Sequence, residues 1–226
     1  MHLCLCSARA LSRIHLFRDC SRWLLPVSLS LGIGAALVRD LFGYWVHRLQ
    51  HSSRWLWAQH EFHHSEEHMN VTTTWRHHWL EIPIQMLFVT APLQLLFGLR
   101  PMTLAMAILI FQVPSYFIHL NSRIRFGALG MVFACPQTHR IHHSVEARHI
   151  DKNFAGFFTF WDVIFGTYYH PAKDEWPETG LASGKTVRSL PYALFMPFIT
   201  WASMLNHTSL HAASNAADYR STGQRP

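Results

Sequence analysis

At 226 residues the chain is long enough for one domain with a sizeable core, yet only 14% of it is charged, where a soluble domain usually carries about a quarter. Net charge is +6, and the arginines are scattered rather than clustered, which argues against a nucleic-acid binder and fits a membrane protein with a basic cytoplasmic face. Cys4, Cys6, Cys20 and Cys135 form no CxxC pair and no disulfide framework, and residues 1–22 lack the apolar stretch and cleavage site of a signal peptide. The anomaly is histidine: eighteen in all, twelve of them between His47 and His143.

In chain order, residues 1–22 alternate leucines with Arg9, Arg13, Arg18 and Arg22, and are expected to be a basic amphipathic or mobile segment. From Leu24 to His51 the pattern is helical and mostly apolar, with Pro26 in the first turn. At 1.5 Å per residue such a helix crosses a hydrocarbon core of about 30 Å in about 20 residues, so it leaves near Tyr44. His47 and His51 then emerge one turn apart on one face. Asp40 and Tyr44 share that face. An aspartate in an apolar segment needs a partner, and Asp40 is expected to accept a hydrogen bond from a ligand's ring N–H, with pairing to Arg39 as the bland alternative.

Next comes HEFHH, residues 60–64. It reads either as HExxH, the zinc-protease pattern with Glu61 as base, or as HxxHH, three imidazoles within about 100° of a helix. The same HxxHH recurs as HRIHH at 139–143, with Arg140 where a protease would need its glutamate, so the imidazole reading prevails. In RHHWLE, His78 lies three residues before Glu81, a spacing suited to carboxylate support of a ligand, while His77 is expected to point elsewhere.

Ile82–Gly98 and Met102–Leu120 are two further apolar runs of about 25–29 Å, each just long enough to cross, with bends expected at Pro83, Pro92 and Pro114 and a tight turn at Gly98–Pro101. His119 ends the second run, on a face with Gln112, Ser115 and Tyr116 that should line the interior. Residues 121–185 are mixed polar and aromatic, and FAGFFTFWDVIFGTYY (154–169) is too charged at Asp162 and too rich in glycine to be a span. Pro191–Leu205 suggests a re-entrant or interfacial helix, and 206–226 a disordered tail.

Three crossings place every histidine cluster on one membrane face. Most basic residues outside the spans join them there, against Arg100 in the opposite turn, so that face is expected to be cytoplasmic. The four N-terminal arginines disagree: either 1–22 folds back along the surface or a further spanning helix belongs upstream. The fold class is therefore all-α, a polytopic membrane helical bundle with a cytosolic histidine-rich cap, whose embedded domain is residues 23–205. The candidate ligands are His47, His51, His60, His63, His64, His78, His119, His139, His142 and His143, which suit two ions with four or five imidazoles each. Ligand type alone leaves iron, zinc, copper and nickel open.

From RDLFGYWVHRLQH through HEFHHS, RHHWLE, HLNSRIRFG and THRIHHS to DKNFAGFFTFWDVIFGT, the chain resembles the fatty acid hydroxylase/sterol desaturase superfamily of integral-membrane non-haem di-iron enzymes. It departs from that pattern at Trp79, where proline is common, and at Phe154 and Ala155, where NYG is usual. The resemblance implies two iron ions, O2 as co-substrate and an external electron donor such as a cytochrome b5-like protein, ferredoxin or reductase. It implies hydroxylation or desaturation of a fatty acyl or sterol-like lipid in the bilayer, with Tyr44, Gln112, Tyr116 and Asn121, and Asp151 and Asn153 of the DKNFAG element, around the ligands. The protein would sit in a bacterial inner membrane, or in the endoplasmic reticulum if eukaryotic. Rival readings are a zinc-dependent membrane hydrolase and a membrane metal-binding protein without oxygenase activity.

Overall fold

The computed structural model describes residues 31–98 and 101–222, with side chains given for these except 101–107, 110 and 207–222. The N-terminal segment 1–22, the start of the first helix and the centre of the 98–101 turn lie outside the described residues. Those described are helical, with an isolated bridge between Ser144 and Thr179 and no strand.

Helix α1 occupies residues 31–52, and the chain turns at Ser53 into α2, Arg54–His64. After a 3-10 turn at Val71–Trp75, capped by Asn70, comes α3, Glu81–Gln85, which runs through a π turn at Met86–Thr90 into α4, Ala91–Phe97. The π turn has a local cause. Pro92 has no N–H and its ring crowds the Phe88 carbonyl, so the ladder shifts and Ala91 N–H reaches back five residues to Met86 O. Gly98 closes α4 in the left-handed region, φ 55°, as glycine readily does. Helix α5 is Pro101–Ile118, α6 Pro136–His142, α7 the single turn Phe160–Ile164, and α8 Leu190–Thr222. The short α7 agrees with 154–169 not being a span. Helix α8 starts with Pro191 in its first turn and runs on past Leu205, through most of the segment whose composition suggests a tail.

Packing is inverted relative to a soluble domain. The buried interior is mainly polar: Gln50, Glu81, Asn153, Asp162 and most of the clustered histidines are inside. Among the described residues, buried apolar side chains form two small clusters, Tyr44, Phe154 and Ala155 against Trp161 and Phe165, and Val187, Ala193 and Met196 against Phe62 and Tyr192, with others such as Met69, Leu93 and Ile141 buried outside them. Large apolar side chains face outward instead, among them Ile82, Leu87, Phe88, Leu95 and Leu96 on α3–α4 and Phe195 and Ile199 on α8. An apolar exterior of this extent marks an interaction surface, for another protein or for lipid. Among the described residues, however, no helix is long and apolar enough to cross a membrane.

Candidate metal centre

Four helices bring histidine to one place. Helix α1 supplies His47 and His51, α2 His60, His63 and His64, α5 leads into His119, and α6 with its C-cap supplies His139, His142 and His143. Helix α6 is started by Pro136 and by the Thr138 hydroxyl, which accepts the Cys135 N–H at 2.9 Å and fixes the register of the three imidazoles that follow.

These rings sort into two groups whose ligand atoms lie within 4.8 Å of one another: His47, His51, His60, His64 and His142, and His63, His119, His139 and His143. The triplets are divided between them by helix geometry. In α2 the i, i+4 pair His60 and His64 serves the first group, and His63, about 60° round the helix from His60 and about 100° from His64, serves the second. In α6 the pair His139 and His143 serves the second group and His142 the first. The groups adjoin, for His64 and His143 stack with centroids 4.4 Å apart.

The nitrogen geometry tests whether cations fit. In the four-histidine group, Nε2 of His119 is 3.4 Å from that of His63 and 3.0 Å from that of His139, which is 3.2 Å from that of His143. Nitrogens sharing an ion at about 2.0–2.1 Å are separated by about 3.0 Å at right angles and about 3.4 Å at tetrahedral angles. Protons alone do not satisfy the set. His119 Nδ1–H donates to Ser115 O at 2.7 Å, so its neutral Nε2 carries a lone pair. His139 Nε2–H can then donate to it, but has no lone pair left for His143. In the five-histidine group, Nδ1–H of His47 donates to Phe154 O at 2.7 Å and that of His142 to Lys152 O at 2.8 Å, while His60 Nδ1 meets Glu81 Oε2 at 3.2 Å. Their Nε2 atoms are buried without a protein partner, and Nε2 of His51 and His64 stand 3.1 Å apart. Converging, buried lone pairs, with the tautomers of His47, His60, His142 and His119 fixed by outer partners, are what a metal-binding imidazole set requires.

Burial also sets protonation. It lowers His51 to about 4 and holds His47, His63, His64, His139, His142 and His143 well below the usual histidine value. These rings are neutral at pH 7 and ready to coordinate without first releasing a proton.

Nine of the ten candidate ligands are thus brought together. His78 is not: its Nε2–H donates to Leu194 O at 3.0 Å and its Nδ1 accepts Leu80 N–H at 3.3 Å, so both nitrogens are engaged away from the groups. Its neighbour His77 instead stacks on His63, centroids 4.3 Å apart, and shares Glu81 Oε2 at 3.1 Å. Glu81 therefore supports His60 and His77, not His78, and Gln50 Nε2 adds a third bond to the same oxygen at 2.9 Å. Glu61 turns off the site to Lys185 Nζ at 3.3 Å, where it cannot serve as an HExxH base.

The other candidates sit as follows. Asp40 Oδ2 accepts Phe158 N–H at 2.9 Å rather than an imidazole, and Arg39 lies over the Phe111 ring. Tyr44 OH meets Thr167 Oγ1 at 2.9 Å, Tyr116 OH accepts from Trp75 Nε1, and Asn121 Oδ1 accepts from Arg140. Gln112 is half-buried on α5. Asp151 Oδ1 lies 3.5 Å from His51 Nδ1, whereas the Asn153 side chain hydrogen-bonds to backbone of Thr138 and Tyr169 rather than to an imidazole. Thr74, at 3.1 Å from His119 Nδ1, and Asp162 and His77 are contributors that sequence patterns alone do not single out. An aspartate inside an aromatic run was the available signal for Asp162.

The sequence profile of the fatty acid hydroxylase family matches residues 32–167, the stretch that carries all nine clustered histidines. The chain belongs to the fatty acid hydroxylase family. Within it, the chain is 36% identical to human alkylglycerol monooxygenase over 129 residues, 57% of this chain and 28% of that protein. It is 27% identical to the ornithine lipid hydroxylase of Rhizobium tropici over 177 residues, 78% of this chain and 52% of that protein, and 29% identical to the alkylglycerol monooxygenase of Caenorhabditis elegans over 157 residues, 70% and 30%. This fatty acid hydroxylase family chain therefore spans between a quarter and about half of these curated relatives. No solved structure matches it.

Proposed function

We propose that residues 23–205 form the catalytic domain of a membrane-embedded, non-haem di-iron hydroxylase that acts on a C–H bond in the hydrocarbon part of a membrane lipid. The sorting of nine imidazoles into adjoining groups of five and four carries this reading. His47, His51, His60, His64 and His142 would hold one ion and His63, His119, His139 and His143 the other. Imidazole does not by itself select iron; membership of the family supports that choice. Relatives named for an alkylglycerol and for an ornithine lipid favour hydroxylation of an alkyl or acyl chain below a polar headgroup. Bound iron would supply reductive activation of O2, one oxygen entering the C–H bond as hydroxyl and the other leaving as water, with two protons and with two electrons from an external donor.

The chain's own residues set the conditions for that chemistry. Glu81, Phe154 O, Lys152 O and Ser115 O fix the outward nitrogens of His60, His47, His142 and His119, so that their Nε2 lone pairs converge. Burial of the remaining rings keeps bulk water from the reacting centre. The outward apolar faces of α3–α4 and α8 are assigned to lipid, with the helical pair 81–98 and 101–118 entering the bilayer and the basic histidine face on the cytoplasmic side. The lipid then reaches the site sideways without leaving the membrane.

Expression in a bacterial host followed by lipid mass spectrometry tests the reading. Lipids carrying one added oxygen should appear only with O2 and disappear with His60→Ala. Iron-loaded protein that, given reductant and O2, leaves the lipids of its own membrane unoxygenated would refute it.

A further inference from the structure

Resting on the di-iron reading, we propose that residues 151–155 form a strap that sets the tautomers of three rings of the five-histidine group, His47, His51 and His142, and of none in the four-histidine group, and that Asp162 is the positioning residue of that strap. Three acceptors follow one another along it. Asp151 Oδ1 faces His51 Nδ1 at 3.5 Å, Lys152 O accepts from His142 Nδ1 at 2.8 Å, and Phe154 O accepts from His47 Nδ1 at 2.7 Å. One short segment thus orients rings from α1 and α6 that lie about a hundred residues apart in the chain.

The strap has an unusual backbone. Asp151 and Asn153 are the non-glycine residues with left-handed φ among those described, at 59° and 55°. They flank Lys152 and turn its carbonyl toward His142. Aspartate and asparagine tolerate this region better than other side chains, though a bend of this kind persists only when its surroundings enforce it. Its surroundings supply that enforcement. Asn153 bonds through its side chain to Thr138 O, Tyr169 O and Tyr169 N–H, and its own N–H donates to Thr167 O. Asp162, wholly buried, accepts Phe154 N–H at 2.8 Å and Thr167 Oγ1–H at 2.7 Å on Oδ1, and Ala155 N–H at 2.9 Å on Oδ2. Its carboxylate touches no imidazole. It acts through Phe154, whose N–H it holds and whose carbonyl holds His47.

The four-histidine group has no equivalent. Among the described residues, His119 has outer support from Ser115 O and Thr74 Oγ1, while Nδ1 of His63, His139 and His143 is buried with no protein partner. Loss of the strap should therefore weaken one ion and spare the other, a selectivity that general loss of structure would not produce.

The test is titration of the full, metal-free chain in detergent with Co2+ alone, followed by visible absorption and equilibrium dialysis. Wild type should take up two equivalents. Asp162→Asn, which sets an amide donor against backbone donors, should keep one equivalent at wild-type affinity and bind the other about tenfold or more weakly, the range outer-sphere changes give. The pair Thr167→Val and Thr167→Ser covers the case in which Asp162→Asn does not fold. Valine, which removes the donor to Asp162, should show a smaller selective loss, and serine should restore binding. Two ions bound as in wild type by Asp162→Asn, both weakened alike in a folded variant, or valine and serine indistinguishable would each overturn the proposal. Wild type binding fewer than two ions would overturn the di-iron reading itself, and the strap with it.

Discussion

Glu81 offers the sharpest perturbation of the outer contacts. Its Oε2 accepts from His60 Nδ1 at 3.2 Å, His77 Nδ1 at 3.1 Å and Gln50 Nε2 at 2.9 Å; Glu81, His60 and Gln50 are buried, while His77 reaches solvent. Hydrogen bonds to a charged group contribute about 1.5–3 kcal/mol, against about 0.5–1.5 for neutral pairs. Glu81→Gln keeps the shape and an acceptor but removes the charge, a loss of about 1–1.5 kcal/mol at His60, or about tenfold in metal affinity. Glu81→Ala removes the acceptor and leaves Gln50 and the imidazoles without it, a loss of up to about 3 kcal/mol, or about a hundredfold. Competition with a chelator, monitored by metal release, measures both. The order expected is wild type, then glutamine, then alanine. Wild-type affinity in Glu81→Ala would refute the role given to this carboxylate.

Three further expectations follow from the same geometry. His60→Ala should weaken one ion and His63→Ala the other, although both lie on α2; chelator competition that finds the same ion affected in both contradicts the partition. Glu61→Ala should leave metal content and lipid oxidation at wild-type levels and alter stability by at most about 1 kcal/mol, as for a partly exposed ion pair; loss of activity with metal retained would revive the HExxH reading. In the metal-free protein the buried imidazoles bind fewer protons than the unfolded chain between about pH 6.5 and 4, so stability should rise with pH across that window and fall as pH drops through it. Urea midpoints that stay level between pH 7 and pH 5 would contradict their burial.

What could be read ahead of the structure was whatever depends on helical periodicity. Both HxxHH triplets and the His47, His51 pair lie on helices or at their ends, where 100° per residue fixes their common face, and all eight enter the groups. His119 was legible for a related reason, since a polar stripe on an apolar helix marks its inward side. The choice between His77 and His78 was not legible. They follow a 3-10 turn in irregular backbone, where neighbouring side chains have no periodic relation, and it is the path from Arg76 to Leu80 that sends one to His63 and the other to Leu194 O. Asp40 looked like support for an imidazole, but the loop carrying Phe158 lies across its face of α1 and takes the carboxylate instead. Asp162 stands out in the sequence as a charge in an aromatic run, but its role is not legible there because it acts through the backbone amides of Phe154 and Ala155.

On this reading two ions share the set of nine imidazoles. Metal analysis and Mössbauer spectroscopy of the full chain, reconstituted with iron under anaerobic conditions, test it most directly. Two irons per chain with the spectrum of a coupled pair after oxidation are expected; a single iron, or zinc retained in protein that oxidises lipid, would contradict a shared di-iron site.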